Sequence, residues 1–114
     1  MRLAATVLAI AAAGVAAPAL SQVPAGRELF LRADKGHCAA CHQVGAGEAT
    51  GARPDVGPAL QGARMRELGK AALRAIVQDP TRANPDTLMP PFGRHRILDD
   101  REIDRVVDYL HALP

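Results

Sequence analysis

The strongest periodic pattern in the chain lies close to its C-terminus. Four apolar residues there share one face of a helix: Ile103, Val106, Val107 and Leu110. The positions between them are mostly charged, as in a helix that packs against a core on one side only. Asp99 precedes this stripe and Glu102 stands three positions after Asp99, which is the spacing of a capping box. A helix is therefore predicted to begin just after Asp99.

A second helix is predicted in the N-terminal part of the chain, before the two cysteines. It opens at Pro24 and Gly26 and is broken by Gly36. Its inward residues are expected to form one group: Leu29, Phe30 and Ala33. We expect this helix to pack on the last one, with Gly26 permitting close backbone approach and Phe30 meeting Tyr109 across the crossing.

A third helix is predicted between these two, beginning at about Glu67 or Lys70 and ending at Gln78 before an Asp-Pro pair. Its inward residues are Leu73, Ile76 and Val77. Segments 43–58 and 81–93 are rich in glycine and proline and are interpreted as irregular loops. No segment alternates convincingly as a strand does, so the predicted fold is all-α. Irregular loops this long are uncommon in a small domain, which indicates that they wrap around a bound group.

The N-terminal segment, residues 1–21, has the organisation of a secretory signal peptide. An arginine gives a positive start, residues 3–17 are almost wholly apolar, and small residues offer cleavage after Ala19 or Ser21. The alternative is a retained membrane anchor, but a span needs roughly 20 apolar residues and this run is shorter. We therefore predict export and cleavage, with residues 22–114 left as one domain without a membrane span.

Composition narrows the function further. The chain has 114 residues, a net charge of +2, one Tyr, two Phe, no Trp and two Cys. Without a basic run, and with few aromatic rings for base stacking, nucleic acid is not an expected partner. A small core so poor in aromatic residues needs a staple or a cofactor. The two cysteines lie too close together in sequence to staple the domain, which favours a bulky cofactor.

The cysteines belong to a Cys-x-x-Cys-His motif at residues 38–42. This spacing is typical of covalent haem c attachment: Cys38 and Cys41 each bond one vinyl group, and His42 binds the iron. A zinc site would require two more ligands, and no second cysteine pair exists. A thioredoxin-like pair would be expected in an α/β setting. One covalent haem is therefore predicted, with His42 as the proximal iron ligand.

The sixth iron ligand is predicted to be Met89. Pro90, Pro91 and Gly93 follow it closely, and the two prolines stiffen the loop that would hold a weakly binding thioether. His95 is the second candidate. Three other possible ligands are considered less favourable on position: Met65, taken as a surface or helix-start residue, His37 and His111.

The tetrapeptide at residues 57–60, Gly-Pro-Ala-Leu, adds a further signal. A backbone carbonyl in such a loop can accept the outer ring N–H of His42. That hydrogen bond would fix the orientation of the ring and raise its basicity.

The chain resembles the class I cytochromes c, and within them the SoxX subunits of the sulfur-oxidising SoxAX cytochromes. Residues 36–42, 57–60 and 73–80 carry part of the likeness. Residues 84–95, Asn-Pro-Asp-Thr-Leu-Met-Pro-Pro-Phe-Gly-Arg-His, carry its most specific part, and residues 97–98, 102–103 and 106–110 also match. The resemblance implies a class I cytochrome c fold wrapped around one haem.

The resemblance also implies a function. The chain would form a periplasmic heterodimer with a haem-bearing SoxA subunit, and the pair would join thiosulfate oxidatively to a cysteine of a sulfur-carrier protein. Catalysis would sit on SoxA, as part of an L-cysteine S-thiosulfotransferase. This chain would take up the electrons and pass them to a small cytochrome c. No nucleophile–base constellation appears in the sequence, in keeping with a subunit that is not catalytic alone.

Two other functions remain open. The chain can be a diffusible electron carrier without a dedicated partner, or a gas-binding or peroxidase-like haem protein with a displaceable sixth ligand. For a partner complex, we expect docking near the loop that carries Met89, residues 81–93, called here the Met89 loop. Arg94, His95 and Arg96 would supply charge there, and Pro91 and Phe92 a small apolar centre.

Overall fold

Three α-helices carry the fold in the part of the chain that a computed structural model describes, residues 22–45 and 54–114. The helices are, in chain order, α1 Gln22–Leu31, α2 Gly62–Gln78 and α3 Asp100–His111. Two short 3₁₀ turns complete the regular structure of these ranges: Cys38–Ala40 and Pro80–Arg82. Among the same residues there is no β-strand, only an isolated parallel bridge between Val44 and Leu60. The predicted all-α fold is confirmed.

Helices α1 and α3 cross in close contact, as predicted. A Cβ atom on Gly26 would overlap the carbonyl oxygen of Arg105 and press on the Cβ atom of Tyr109, so the backbones meet where α1 has no side chain. The rings of Phe30 and Tyr109 are both buried and meet edge to face, with centroids 5.5 Å apart at 63°. Such an aromatic pair contributes roughly 0.5–1.5 kcal/mol beyond its buried area.

The start of α3 is held by the predicted capping box. The Asp99 side chain accepts from the Glu102 amide at 2.8 Å, and the Glu102 side chain accepts from the Asp99 amide at 3.0 Å. Glu102 also pairs with Lys35 at 2.9 Å, which ties the segment before the cysteine motif to α3. Hydrogen bonds from Lys35 and from the Asp99 amide lower the pKa of Glu102, in that order. The predicted apolar stripe of α3 is buried throughout.

Helix α2 is longer than the sequence pattern indicates. It begins at Gly62 rather than at Glu67 or Lys70, and it is interrupted at Gly69, where φ is 78° and ψ is 158°. That backbone conformation is nearly confined to glycine, so the residue allows two helical segments to join at a bend. Met65 lies in the first turn of α2, as the helix-start alternative predicted, but its side chain is buried in the core, so the surface alternative is wrong. Ala33 is exposed because α1 ends at Leu31.

Parts of the sequence interpretation fall outside the described residues. These are the predicted signal peptide, residues 1–21, and residues 46–53 of the predicted loop 43–58. Within 22–45 and 54–114, no helix has the length and apolar character required to cross a membrane.

Candidate haem-binding site

The cysteine motif is folded into one tight turn. The Cys38 carbonyl accepts from the amides of Cys41 and His42, at 3.1 Å and 2.9 Å. His37 precedes the turn with a left-handed backbone, φ 44° and ψ 39°, and redirects the chain into it. Both cysteine side chains are half-buried free thiols, and burial raises the pKa of Cys38 to about 11. The turn therefore brings the two sulfur-bearing residues and the histidine together within one short segment.

The His42 ring is fixed by the loop that follows the motif. Its Nδ1 atom lies 2.7 Å from the Pro58 carbonyl oxygen, so this nitrogen carries the proton and donates. The Nε2 lone pair is then available to a metal. A Cβ atom on Gly57 would overlap the imidazole, and the Gly57 amide donates to the Cys41 carbonyl at 2.8 Å. The predicted carbonyl acceptor for His42 is confirmed, and it is Pro58.

A short ladder brings this loop back beside the motif. The Leu60 amide donates to the Gln43 carbonyl at 2.7 Å, and the Gly45 amide donates to the Leu60 carbonyl at 3.1 Å. These bonds form the bridge between Val44 and Leu60. The residues that hold the His42 ring are therefore anchored on both sides of the segment 46–53.

The Met89 loop is braced from within. The Thr87 hydroxyl accepts from the Met89 amide at 3.1 Å, and the Asn84 side chain accepts from the Asp86 amide at 3.2 Å. Met89 is half-buried and packs against the apolar core, as does Cys38. The chain thus presents Met89 on a loop with little internal freedom, next to the same core that the cysteine motif contacts.

The other candidate ligands occupy different settings. His37 and His95 are exposed, whereas His111 is half-buried in the last turn of α3. Met65 is packed inside the core on α2. Met89 therefore remains the predicted sixth ligand, on a residue that is half-buried against the core.

Only some residues of the predicted docking surface are exposed. Pro91 and Phe92 are buried, so they cannot form its apolar centre. Arg94 turns back to bind Asp79, while His95 and Arg96 are exposed. These differences arise because the chain after Met89 folds onto the end of α2.

An exposed apolar residue that the sequence interpretation missed lies directly before Met89. Leu88 is 83% exposed and Val56 is 59% exposed. Among the described residues, these two are the large hydrophobic residues that are exposed. The available signal was a leucine beside a predicted iron ligand in a proline-bounded loop. Leu88, rather than the buried Phe92, is therefore the exposed large apolar side chain next to the predicted ligand in sequence.

The donor set fits a covalent haem. Two thiols one turn apart are followed by an imidazole whose Nδ1 atom is engaged by Pro58, leaving Nε2 for the iron. The family model for cytochrome c matches residues 23–114. Comparisons with curated proteins and with solved structures gave no match. Because the family model covers most of the chain, the chain belongs to the cytochrome c family, with a class I fold and covalently bound haem c.

Proposed function

We propose that Cys38 and Cys41 attach the haem and that His42 and Met89 bind its iron, so that the chain transfers single electrons. The observation that carries this proposal is the 2.7 Å hydrogen bond from His42 to Pro58, because it orients one ring nitrogen for a metal and raises its basicity. The haem supplies the one-electron redox couple. The protein would supply the attachment, two iron ligands and a core that limits access of water.

The attachment is tested by the intact mass of the mature protein after acid–acetone extraction, which removes non-covalent haem. One haem added to the polypeptide supports the proposal, and a bare polypeptide mass refutes it. Changing Cys38 or Cys41 to Ala removes one thioether, which the alkaline pyridine haemochrome spectrum reports. Ala40→Ser is the matched control, since Ala40 lies within the same motif and is exposed.

For the wider role, we propose a SoxX-like electron-transfer subunit of a periplasmic SoxAX-type complex. The support is the specific run at residues 84–95 and the predicted signal peptide at 1–21. Joining thiosulfate to a cysteine thiol forms an S–S bond and releases two electrons and one proton. A single haem takes one electron at a time, so this chain would be reduced twice per reaction. It would pass each electron to a small cytochrome c, while catalysis would sit on the SoxA-like subunit.

The partner surface in this proposal includes Leu88, with His95 and Arg96 as exposed charged or polar neighbours of the same loop. A leucine held on a stiff loop loses little conformational freedom when it is covered, which favours binding. Exposed charges at a rim act mainly on the association rate and its salt dependence.

Co-expression with the candidate SoxA-like subunit tests this role. The pair should co-purify through a tag on one subunit, and Leu88→Ser should weaken the pair more than the control Val56→Ser does. Elution of the chain alone at every salt concentration would refute the SoxX-like role and leave the diffusible carrier. A pair unaffected by Leu88→Ser would refute only the proposed surface.

A further inference from the structure

The two ends of the Met89 loop meet at one buried carboxylate. Asp79 ends α2 and is 8% exposed. Its Oδ2 atom accepts from Arg94 Nη1 at 3.2 Å, and its Oδ1 atom accepts from the Thr81 hydroxyl at 2.5 Å. Arg94 also donates to the Thr81 hydroxyl at 3.2 Å. Three side chains from the entry and the exit of the loop therefore form one closed set of hydrogen bonds.

The backbone makes a second connection at the same place. The Gln78 carbonyl accepts from the amides of Gly93 and Arg94, at 3.2 Å and 3.0 Å. A Cβ atom on Gly93 would overlap the Gln78 side chain, so the exit of the loop lies directly against the end of α2. The entry and exit of residues 81–93 are thus joined by both side chains and main chain.

The electrostatics favour the closed arrangement. A buried carboxylate without a partner would be costly, and here it is bound by a hydroxyl and a guanidinium. The Thr81 hydroxyl first, and then Arg94, lower the pKa of Asp79 against the opposing effect of burial. The carboxylate is therefore ionised and bound at neutral pH.

We propose that Asp79, Thr81 and Arg94 form a clamp that holds the Met89 loop closed and so positions the Met89 thioether on the iron. The proposal rests on Met89 being the iron ligand. Three prolines and the Thr87 contact restrict the interior of the loop, so the loop moves chiefly as a body about its ends. A thioether binds iron weakly, and the residues that close those ends set how readily it leaves. Asp79 and Arg94 are positioning residues in this scheme.

The decisive variant is Arg94→Gln, because the Arg94 side chain is 57% exposed and its loss does not open the core. Arg96→Gln is the matched control, since it removes the same charge two residues away from an exposed position. The measured quantity is the rate at which imidazole displaces Met89 from the ferric protein. We expect Arg94→Gln to raise this rate about three- to tenfold over the control, the range for a partly exposed charged hydrogen bond. Arg94→Lys, which keeps one charged donor, should restore part of the difference.

Asp79→Asn provides the second arm. On its own it should raise the displacement rate, and combined with Arg94→Gln the two effects should be less than additive, because both weaken the Asp79–Arg94 contact. Asp79→Asn also weakens the contacts of Asp79 with Thr81 and with Arg82, which lies 3.8 Å away. Equal rates for Arg94→Gln and Arg96→Gln, or fully additive effects of the two clamp changes, would overturn the clamp. The near-infrared sulfur-to-iron band of the wild-type protein distinguishes a failure of Met89 ligation from a failure of the clamp. If that band is absent, Met89 ligation itself is wrong, whereas if it is present with equal rates, only the clamp is wrong.

Discussion

The His42 Nδ1 atom lies 2.7 Å from the Pro58 carbonyl oxygen, across sixteen positions of sequence. This contact fixes both the tautomer and the orientation of the ring. The neighbouring Gly57 removes the side chain that would otherwise occupy the space of the imidazole. The orientation of the predicted proximal ligand therefore depends on a loop that supplies no predicted iron ligand.

Gly57→Ala should distort that arrangement. The added methyl group overlaps the imidazole, so either the ring or the loop must move, at a cost of about 1–3 kcal/mol in the free energy of unfolding. Denaturant unfolding of the haem-loaded protein, followed by the Soret band, measures this loss. Ala59→Ser is the control, because Ala59 is exposed in the same loop. Equal stability of the two variants would mean that the loop does not press on the ring.

Met89→Ala should remove the near-infrared sulfur-to-iron band and open a site for exogenous ligands. The control is Met65→Leu, which keeps an apolar side chain of similar size in the core and should leave the band unchanged. Loss of the band in Met65→Leu, with its retention in Met89→Ala, would transfer the ligand assignment to Met65. A native spectrum without the band would direct attention to His95 and to the gas-binding alternative.

The stability of the protein should be sensitive to side-chain atoms added or removed at the crossing of α1 and α3. Gly26→Ala forces the two backbones apart and should cost about 1–3 kcal/mol, and Tyr109→Ala should cost about 3–5 kcal/mol through the lost aromatic packing. Thermal unfolding of the haem-loaded variants measures both. The exposed substitution Ala33→Ser serves as reference, and melting temperatures equal to that reference would contradict the crossing.

The Lys35–Glu102 pair should make stability depend on pH in acid. The folded-state pKa of Glu102 lies below its ordinary value of 4.5, so the contribution is present above that value and is lost as pH falls through the lower one. Glu102→Gln keeps an acceptor for the Asp99 amide but removes the charge. It should therefore cost about 1 kcal/mol at neutral pH and little in strong acid. Glu67→Gln, in an exposed pair with Arg64, is the control and should cost little stability at neutral pH.

The sequence predicted those features that depend on neighbours along the chain. The capping box of Asp99 and Glu102 needs only three residues of context, and the α3 stripe needs only helical spacing. The acceptor for His42 was predictable from a recognisable tetrapeptide, although not the particular carbonyl. Short-range patterns therefore gave most of the helical framework and the proximal side of the site.

What the sequence did not predict depends on contacts between distant residues or on an unusual backbone. The bend at Gly69 is a positive φ angle that leaves no mark in the apolar pattern, so the first half of α2 and the burial of Met65 were missed. Arg94 is predicted to serve a partner because Asp79, which binds it, lies fifteen positions earlier. Phe92 is predicted to lie on the docking surface, yet it is buried in the core.

The bridge between Val44 and Leu60 has a consequence for how the chain can change in length. Because hydrogen bonds join these positions, the segment between them begins and ends at a fixed point. Doubling the length of such a closed segment adds only about 0.6 kcal/mol of closure entropy. Insertions within 46–53, including a peptide tag or a reporter domain, should therefore leave the His42–Pro58 contact and the haem spectrum unchanged. The bonds at Val44 and Leu60, with the Gly57 amide on the Cys41 carbonyl, would then hold the His42 side of the site whatever the length of chain between 45 and 54.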